Sequence, residues 1–340
     1  MTTPSADDEA RPADAGRAPA PDEAPLPGEA QDPDTAEGAA VEAEKAAAAA
    51  EAAALEAEHA ATRAEDAFAT AQTLAPETAT PATSNGGQPL LRLVGIGKNF
   101  GPVRALVGVD LDVPIGQVTA IVGDNGAGKS TLIKTIAGIW QQDHGELIWQ
   151  GHPVRIHSPK GATDLGIATV YQDLALCDNL DIVQNMFLGR EPVKFFQLDE
   201  VSMETAAKRT LADLHVVTVR SVRQLVGSLS GGQRQAVAVA KAVLRQAKLV
   251  IMDEPTAALG VTQTRVVLDL IRRLKSQDIA VIVISHNLTD VLAVADRIAV
   301  LYLGRLVAVG PMSQFDSQSI VDLMTTGSSK RITAAAAEQS

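Results

Sequence analysis

Gly123-Asp124-Asn125-Gly126-Ala127-Gly128-Lys129-Ser130 combines glycines, a lysine and a hydroxyl in eight consecutive positions, and Thr131 follows. Those residue types suit one task, wrapping backbone around a polyphosphate. Glycines let successive N–H groups turn toward one anion. Lys129 reaches β- and γ-phosphates, and the Ser130 hydroxyl offers an oxygen to Mg²⁺. A second place for chemistry is the acidic pair Asp253-Glu254. Beside a phosphate loop, Asp253 orients the Mg²⁺ shell and Glu254, projecting differently, polarises an attacking water. A third is Leu229-Ser230-Gly231-Gly232-Gln233, whose small residues free backbone N–H groups at a helix start and make a second anion site.

Each of these groups needs an element to hold it. The apolar run 118–122 before the loop and the helical text after it make a strand, turn and helix start, the setting a phosphate cradle requires. Residues 249–252 form an apolar strand that ends in the two carboxylates. Further strands are expected at 90–94, 111–113, 147–149, 167–171, 280–284, 298–302 and 306–309. Helices are expected from near Ser202, with Leu211 and Leu214 on one face, after Ser230, and over 262–276 and 288–295. The interval from about Asp178 to Arg223 has a helical pattern, which puts a mainly helical lobe beside a largely parallel sheet wrapped by helices.

The rest of the chain separates cleanly. Residues 1–88 hold 18 Asp+Glu against 4 Lys+Arg, a net of −14, whereas the whole chain of 340 residues is −12, leaving +2 for residues 89–340. The leader lacks large apolar residues and is expected to be disordered over 1–38, with a lone solvated Ala/Glu helix at about 39–72 and a Thr/Pro/Gly/Ser linker up to 88. A near-neutral remainder argues against nucleic acid as a partner. The single cysteine, Cys177, excludes an internal disulfide. No run approaches the roughly 20 apolar residues of a membrane helix, and no basic patch with an apolar core opens the chain. The tail from Thr325 is expected to be loose.

Leu229-Ser230-Gly231-Gly232-Gln233 resembles, letter for letter, the signature of ATP-binding cassette (ABC) proteins. The other pieces follow in that family's order: Gln172, the signature, Asp253-Glu254, then His286 after the strand 282–285. The resemblance covers roughly residues 89–326 and implies an α/β fold. Its parts would be a P-loop NTPase cassette with a RecA-like core, an antiparallel β subdomain and a helical lobe at about 173–228, preceded by the acidic extension and followed by a flexible tail at 327–340.

By the same resemblance, the phosphate loop binds ATP with Mg²⁺ held by Ser130, Gln172 and Asp253, and Phe100 stacks on adenine. Gln172 reports nucleotide state to the helical lobe. Ser230, Gly231 and Gly232 bind the γ-phosphate held by a second copy, and His286 contacts that phosphate. Glu254, His286 and Gln172 are the implied catalytic residues. One departure stands in Glu254-Pro255-Thr256-Ala257-Ala258-Leu259-Gly260, where the family carries Asp in place of Gly260.

Residues 156–160, 166–177 and 295–297 resemble ATPase subunits of ribose-, xylose- and fructose-type importers. That implies a homodimer of cassettes on the cytoplasmic face of the plasma membrane, a separate permease and an extracytoplasmic sugar-binding protein. Two other classes remain open on sequence: a soluble cassette ATPase acting on nucleic acid or the ribosome, and an ATP sensor that uses its acidic leader to bind a partner.

Overall fold

The computed structural model describes residues 88–329 apart from Val217. The leader with its expected helix, and the tail from 330, lie outside the described residues.

The completely buried run Val118–Val122 (β3) has no polar alternation, as a strand covered on both faces requires. It sits inside a six-stranded sheet of order β12-β11-β3-β10-β9-β6. The partners are β6 (Ile167–Val170), β9 (Leu249–Asp253), β10 (Ala280–Ile284), β11 (Arg297–Tyr302) and β12 (Arg305–Pro311). All neighbours are parallel except the edge pair β11–β12, a hairpin around Gly304. Helices cover it: α1 (Lys129–Ile136), α2 (Pro159–Leu165), α5 (Gly231–Leu244), α6 (Val261–Ser276), α7 (Leu288–Val294) and α8 (Ser317–Thr326).

A separate antiparallel sheet, in the order β2-β1-β4-β5, contains β1 (Leu91–Phe100), β2 (Val103–Val113), β4 (His144–Trp149) and β5 (His152–Val154). β1 runs six residues beyond the sequence expectation, because irregularities between Leu93 and Asn99 let it keep pairing with β2 past Gly95 and Gly97. Its apolar face, with Leu91, Leu93 and Ile96, joins the core that includes Leu132, Ile133 and Ile136 of α1.

The second lobe holds α3 (Ile182–Phe187) and α4 (Glu200–Asp213). Asp181 and Gln184 form a reciprocal capping box at the start of α3. Met186, Met203, Ala207, Leu211 and Leu214 pack with Ala236, Val237 and Ala240 of α5 into one core. The lobe is mainly helical, as expected, but it also holds a short hairpin that the sequence did not mark. Pro192 ends the helical text, and β7 (Val193–Lys194) and β8 (Gln197–Leu198) form a hairpin turning at Phe195 and Phe196. Both phenylalanines have positive φ, 51° and 64°, where such turns usually take Asn or Gly.

The chain is also ordered further than expected near its end. Asp316 and Ser319 cap α8 reciprocally, Ile320 and Leu323 pack against the β11 side of the sheet, and Gly327 ends the helix in the left-handed region. An apolar i, i+3, i+4 pattern at 320, 323 and 324 carries this helix, so residues 325–326 belong to it.

Candidate functional site

Strand register gathers the predicted residues at one end of the six-stranded sheet. Ile121 of β3 is level with Ile284 of β10, which is level with Asp253 of β9, while Met252 is level with Val170 of β6. The segments that leave these strands are the phosphate loop, Ser285-His286, Glu254 and Tyr171-Gln172. They therefore emerge side by side outside the carboxyl ends of parallel strands, where open α/β sheets bind ligands.

The loop is built around its glycines. Gly128 has φ 103°, and a Cβ there would lie 2.6 Å from the Ala105 carbonyl oxygen, so no other residue fits. Gly128 is also the N-cap of α1 and supplies no side-chain hydrogen bond. The first-turn N–H groups are left to an anion, with the positive end of the helix dipole behind them. Lys129 Nζ donates to the carbonyl oxygens of Gly123 at 2.7 Å and Asp124 at 2.9 Å. This ties the loop into a ring and keeps a third N–H for a phosphate. Asp124, Asn125 and Gly126 are exposed at its crest, Ala127 is buried beneath, and Ser130 is exposed with Thr131 partly so.

Asp253 is partly buried at the tip of β9. Burial pushes its carboxyl above the usual range, Glu254 pushes the same way, and Lys129 and Lys134 pull it back. The last two place the acid within the field of the phosphate loop. Glu254 has φ 49°, and its N–H donates to the Ile284 carbonyl at 2.9 Å. The left-handed backbone there carries a local strain of about 1 kcal/mol or more. His286 Nδ1 lies 2.9 Å from Glu254 Oε1; with the carboxylate ionised, the ring donates through Nδ1–H. Gln172 is exposed two residues beyond β6.

Ser130, Asp253 and Gln172 offer oxygen donors, the set Mg²⁺ prefers. Among the described residues no group of three or more His, Cys, Asp or Glu is arranged to hold a metal. Mg²⁺ that is carried largely by substrate phosphates and water needs one or two protein oxygens.

The signature turn is anchored elsewhere. Ser230 caps α5, its hydroxyl accepting from Gln233 N–H at 3.4 Å while its own N–H donates to Gln233 Oε1 at 2.9 Å. Gln233 Nε2 then donates to the Thr218 carbonyl at 2.6 Å. A Cβ on Gly231 would stand 2.7 Å from Leu259 Cδ2, so the turn is pressed against the loop leading into α6 rather than against the phosphate loop. Leu229 is buried and Ser230 exposed.

Gly260 is the N-cap of α6, extended at φ −73° and ψ 163°, with no side-chain cap and no acid in the helix's first turn. A Cβ there meets nothing within 4 Å. Gly260→Asp is therefore expected to stabilise the protein by roughly 0.5–1 kcal/mol through the cap and the helix dipole. Urea unfolding checks this, and an unchanged or lower midpoint would show that the cap does not form.

Phe100 ends β1, and its ring meets Trp140 edge-on at 5.3 Å between centroids. Sequence reading singled out neither Trp140 nor Lys98, whose Nζ lies 5.5 Å from the same ring. A tryptophan four residues beyond a helix end carries no local mark of a partner 40 residues earlier. Among the described residues no helix is long and apolar enough to cross a membrane.

A model of the ABC transporter family matches residues 106–257. The fructose import ATP-binding protein FrcA of Rhizobium meliloti is 44% identical over 245 residues, 70% of this chain and 94% of that protein. The xylose/arabinose import ATP-binding protein XylG of Sulfolobus acidocaldarius is 44% identical over 237 residues, again 70% and 94%. Among solved structures, an ATP-binding cassette of an ABC transporter in its ADP conformation matches with a TM-score of 0.61 and 27% identity, over 74% of this chain and 99% of that one. With an α/β cassette fold, a phosphate loop at the carboxyl ends of its strands and relatives matched over nearly their full length, the chain belongs to the ABC transporter family as an ATP-binding protein.

Proposed function

We propose that the chain is the ATP-hydrolysing subunit of a monosaccharide importer, working as a pair of identical cassettes. The observation that carries the pairing is the separation of two anion sites on one chain: Lys129, Asp253, Glu254 and His286 cluster at the sheet end, while Ser230 is braced on the Leu259 side. Two copies arranged head to tail bring the Ser230 turn of one over the phosphate loop of the other, making two equivalent sites.

Residues 123–131 cradle the triphosphate. Glu254 holds and polarises the attacking water, and His286, fixed by its bond to Glu254, faces the γ-phosphate. Ser130, Asp253 and Gln172 would hold Mg²⁺ through their oxygens, and the ion would supply neutralisation of phosphate charge. The chain's own work is positioning and electrostatic stabilisation, with little covalent chemistry. Closure of the pair on ATP and opening after hydrolysis would drive a separate membrane permease, gripped by the lobe at about 173–228, between inward- and outward-facing states. This places the chain at the cytoplasmic face of the plasma membrane. The names of FrcA and XylG support a sugar as cargo, and an extracytoplasmic sugar-binding protein would deliver it.

Affinity purification of the tagged full-length chain from detergent-solubilised membranes is expected to recover a polytopic membrane protein with it. Recovery of the chain alone, turning over ATP at full rate, would remove the transport role.

A further inference from the structure

Aromatic side chains make up only 3% of this sequence, and among the described residues Phe100 and Trp140 form the one aromatic pair. Both residues are 39% exposed, so the contact is not a by-product of core burial. They come from different elements: Phe100 from the end of β1, Trp140 from the segment after α1, the helix whose first turn belongs to the phosphate loop. The planes cross at 79°, the edge-to-face arrangement that aromatic quadrupoles favour.

The backbone beneath is clasped as well. Asp143 accepts from Lys98 Nζ at 2.8 Å and from Asn99 N–H at 2.6 Å, and its own N–H donates to the Gly97 carbonyl at 2.8 Å. These hydrogen bonds hold the Asp143 carboxyl below its usual range. The end of β1 is thus fastened to the segment that carries Trp140. Lys98 Nζ approaches the Phe100 ring as a cation–π partner. Phe100 is therefore braced by two side chains at an exposed hairpin end where its ring would otherwise turn freely.

We propose that Trp140 is a positioning residue for the nucleobase: it fixes the plane of Phe100 so that the base meets a ring already set for stacking. This rests on Phe100 being the base platform, the role its resemblance to the family implies, in the ATP-hydrolysing function proposed above. Because Trp140 acts through Phe100, its loss should weaken ligands that carry a base and spare those that do not. An edge-to-face pair and one immobilised side chain correspond to about three- to tenfold in affinity.

Calorimetric titration of the full chain with ATP and with inorganic tripolyphosphate, both with Mg²⁺, tests it. Trp140→Ala is expected to bind ATP about three- to tenfold more weakly than wild type and tripolyphosphate equally well, and Trp140→Tyr to recover most of the difference. Trp149 is only 5% exposed, so ATP should change the intrinsic tryptophan emission, tripolyphosphate should not, and the change should vanish in Trp140→Tyr. Wild-type ATP affinity in Trp140→Ala would overturn the proposal, and so would an equal loss for both ligands, which marks a merely structural role. Phe100→Ala separates the underlying reading: if it keeps wild-type ATP affinity, Phe100 is not the platform, and the assignment to Trp140 falls with it.

Discussion

Glu254→Gln is expected to bind ATP normally, lose roughly 10²–10⁴-fold in turnover, and accumulate as a dimer in the presence of ATP. The amide has the size of the carboxylate, and its oxygen can still accept from His286 Nδ1, now 2.9 Å from Glu254 Oε1. The left-handed backbone at φ 49° is unaffected by a change at the end of the side chain. What disappears is the charge that polarises water. Binding persists because the phosphate loop and Lys129 are untouched, and pairing persists because the Ser230 turn is untouched. Loss of that charge also removes the second of the two influences that raise the Asp253 carboxyl, leaving burial alone to do so. A variant that hydrolyses ATP at the wild-type rate would remove Glu254 from the catalytic role.

Ser230→Arg is expected to bind ATP as a monomer, fail to dimerise, and lose hydrolysis to a similar extent. Ser230 is exposed, and its hydroxyl accepts only from Gln233 N–H among the described residues, so the loss inside one chain is that of a helix cap. That costs about 1 kcal/mol, a modest share of the 5–15 kcal/mol that holds a domain. Ser230→Ala removes the same cap without adding bulk. The two variants should therefore unfold at similar urea concentrations while only the arginine prevents pairing, as read by sedimentation with ATP. An unimpaired ATPase rate in Ser230→Arg would contradict a shared site.

Much of this architecture could be read in advance because the chemistry constrains the text. A phosphate loop needs glycine at Gly128, where a side chain would strike the Ala105 carbonyl, so the requirement is written in residue type. Fully buried parallel strands such as 118–122, where Thr119 is the one polar residue, and 280–284 stand out for the same reason. The β7–β8 hairpin was not legible: strands of two residues carry no alternation, and Phe195-Phe196 contradicts ordinary turn composition. Helix α8 was not among the expected helices, because its capping box uses Ser319 where the familiar pattern has Glu or Gln. The clasp of Asp143 on Lys98 and Asn99, and the meeting of Trp140 with Phe100, span about 40 residues. Such contacts arise from how β1 pairs with β4, a tertiary choice that no local window encodes.

Mixing two inactive variants tests the shared site most directly. Lys129→Ala loses its own phosphate cradle but keeps Ser230, and Ser230→Arg does the reverse. In a mixed pair, the intact loop of one copy faces the intact signature turn of the other and rebuilds one complete site. Only the mixed pair holds a complete site, one of its two, so an equimolar mixture should regain ATPase activity, up to about half the wild-type rate, while each component alone stays silent. A mixture as inactive as its components would contradict the account.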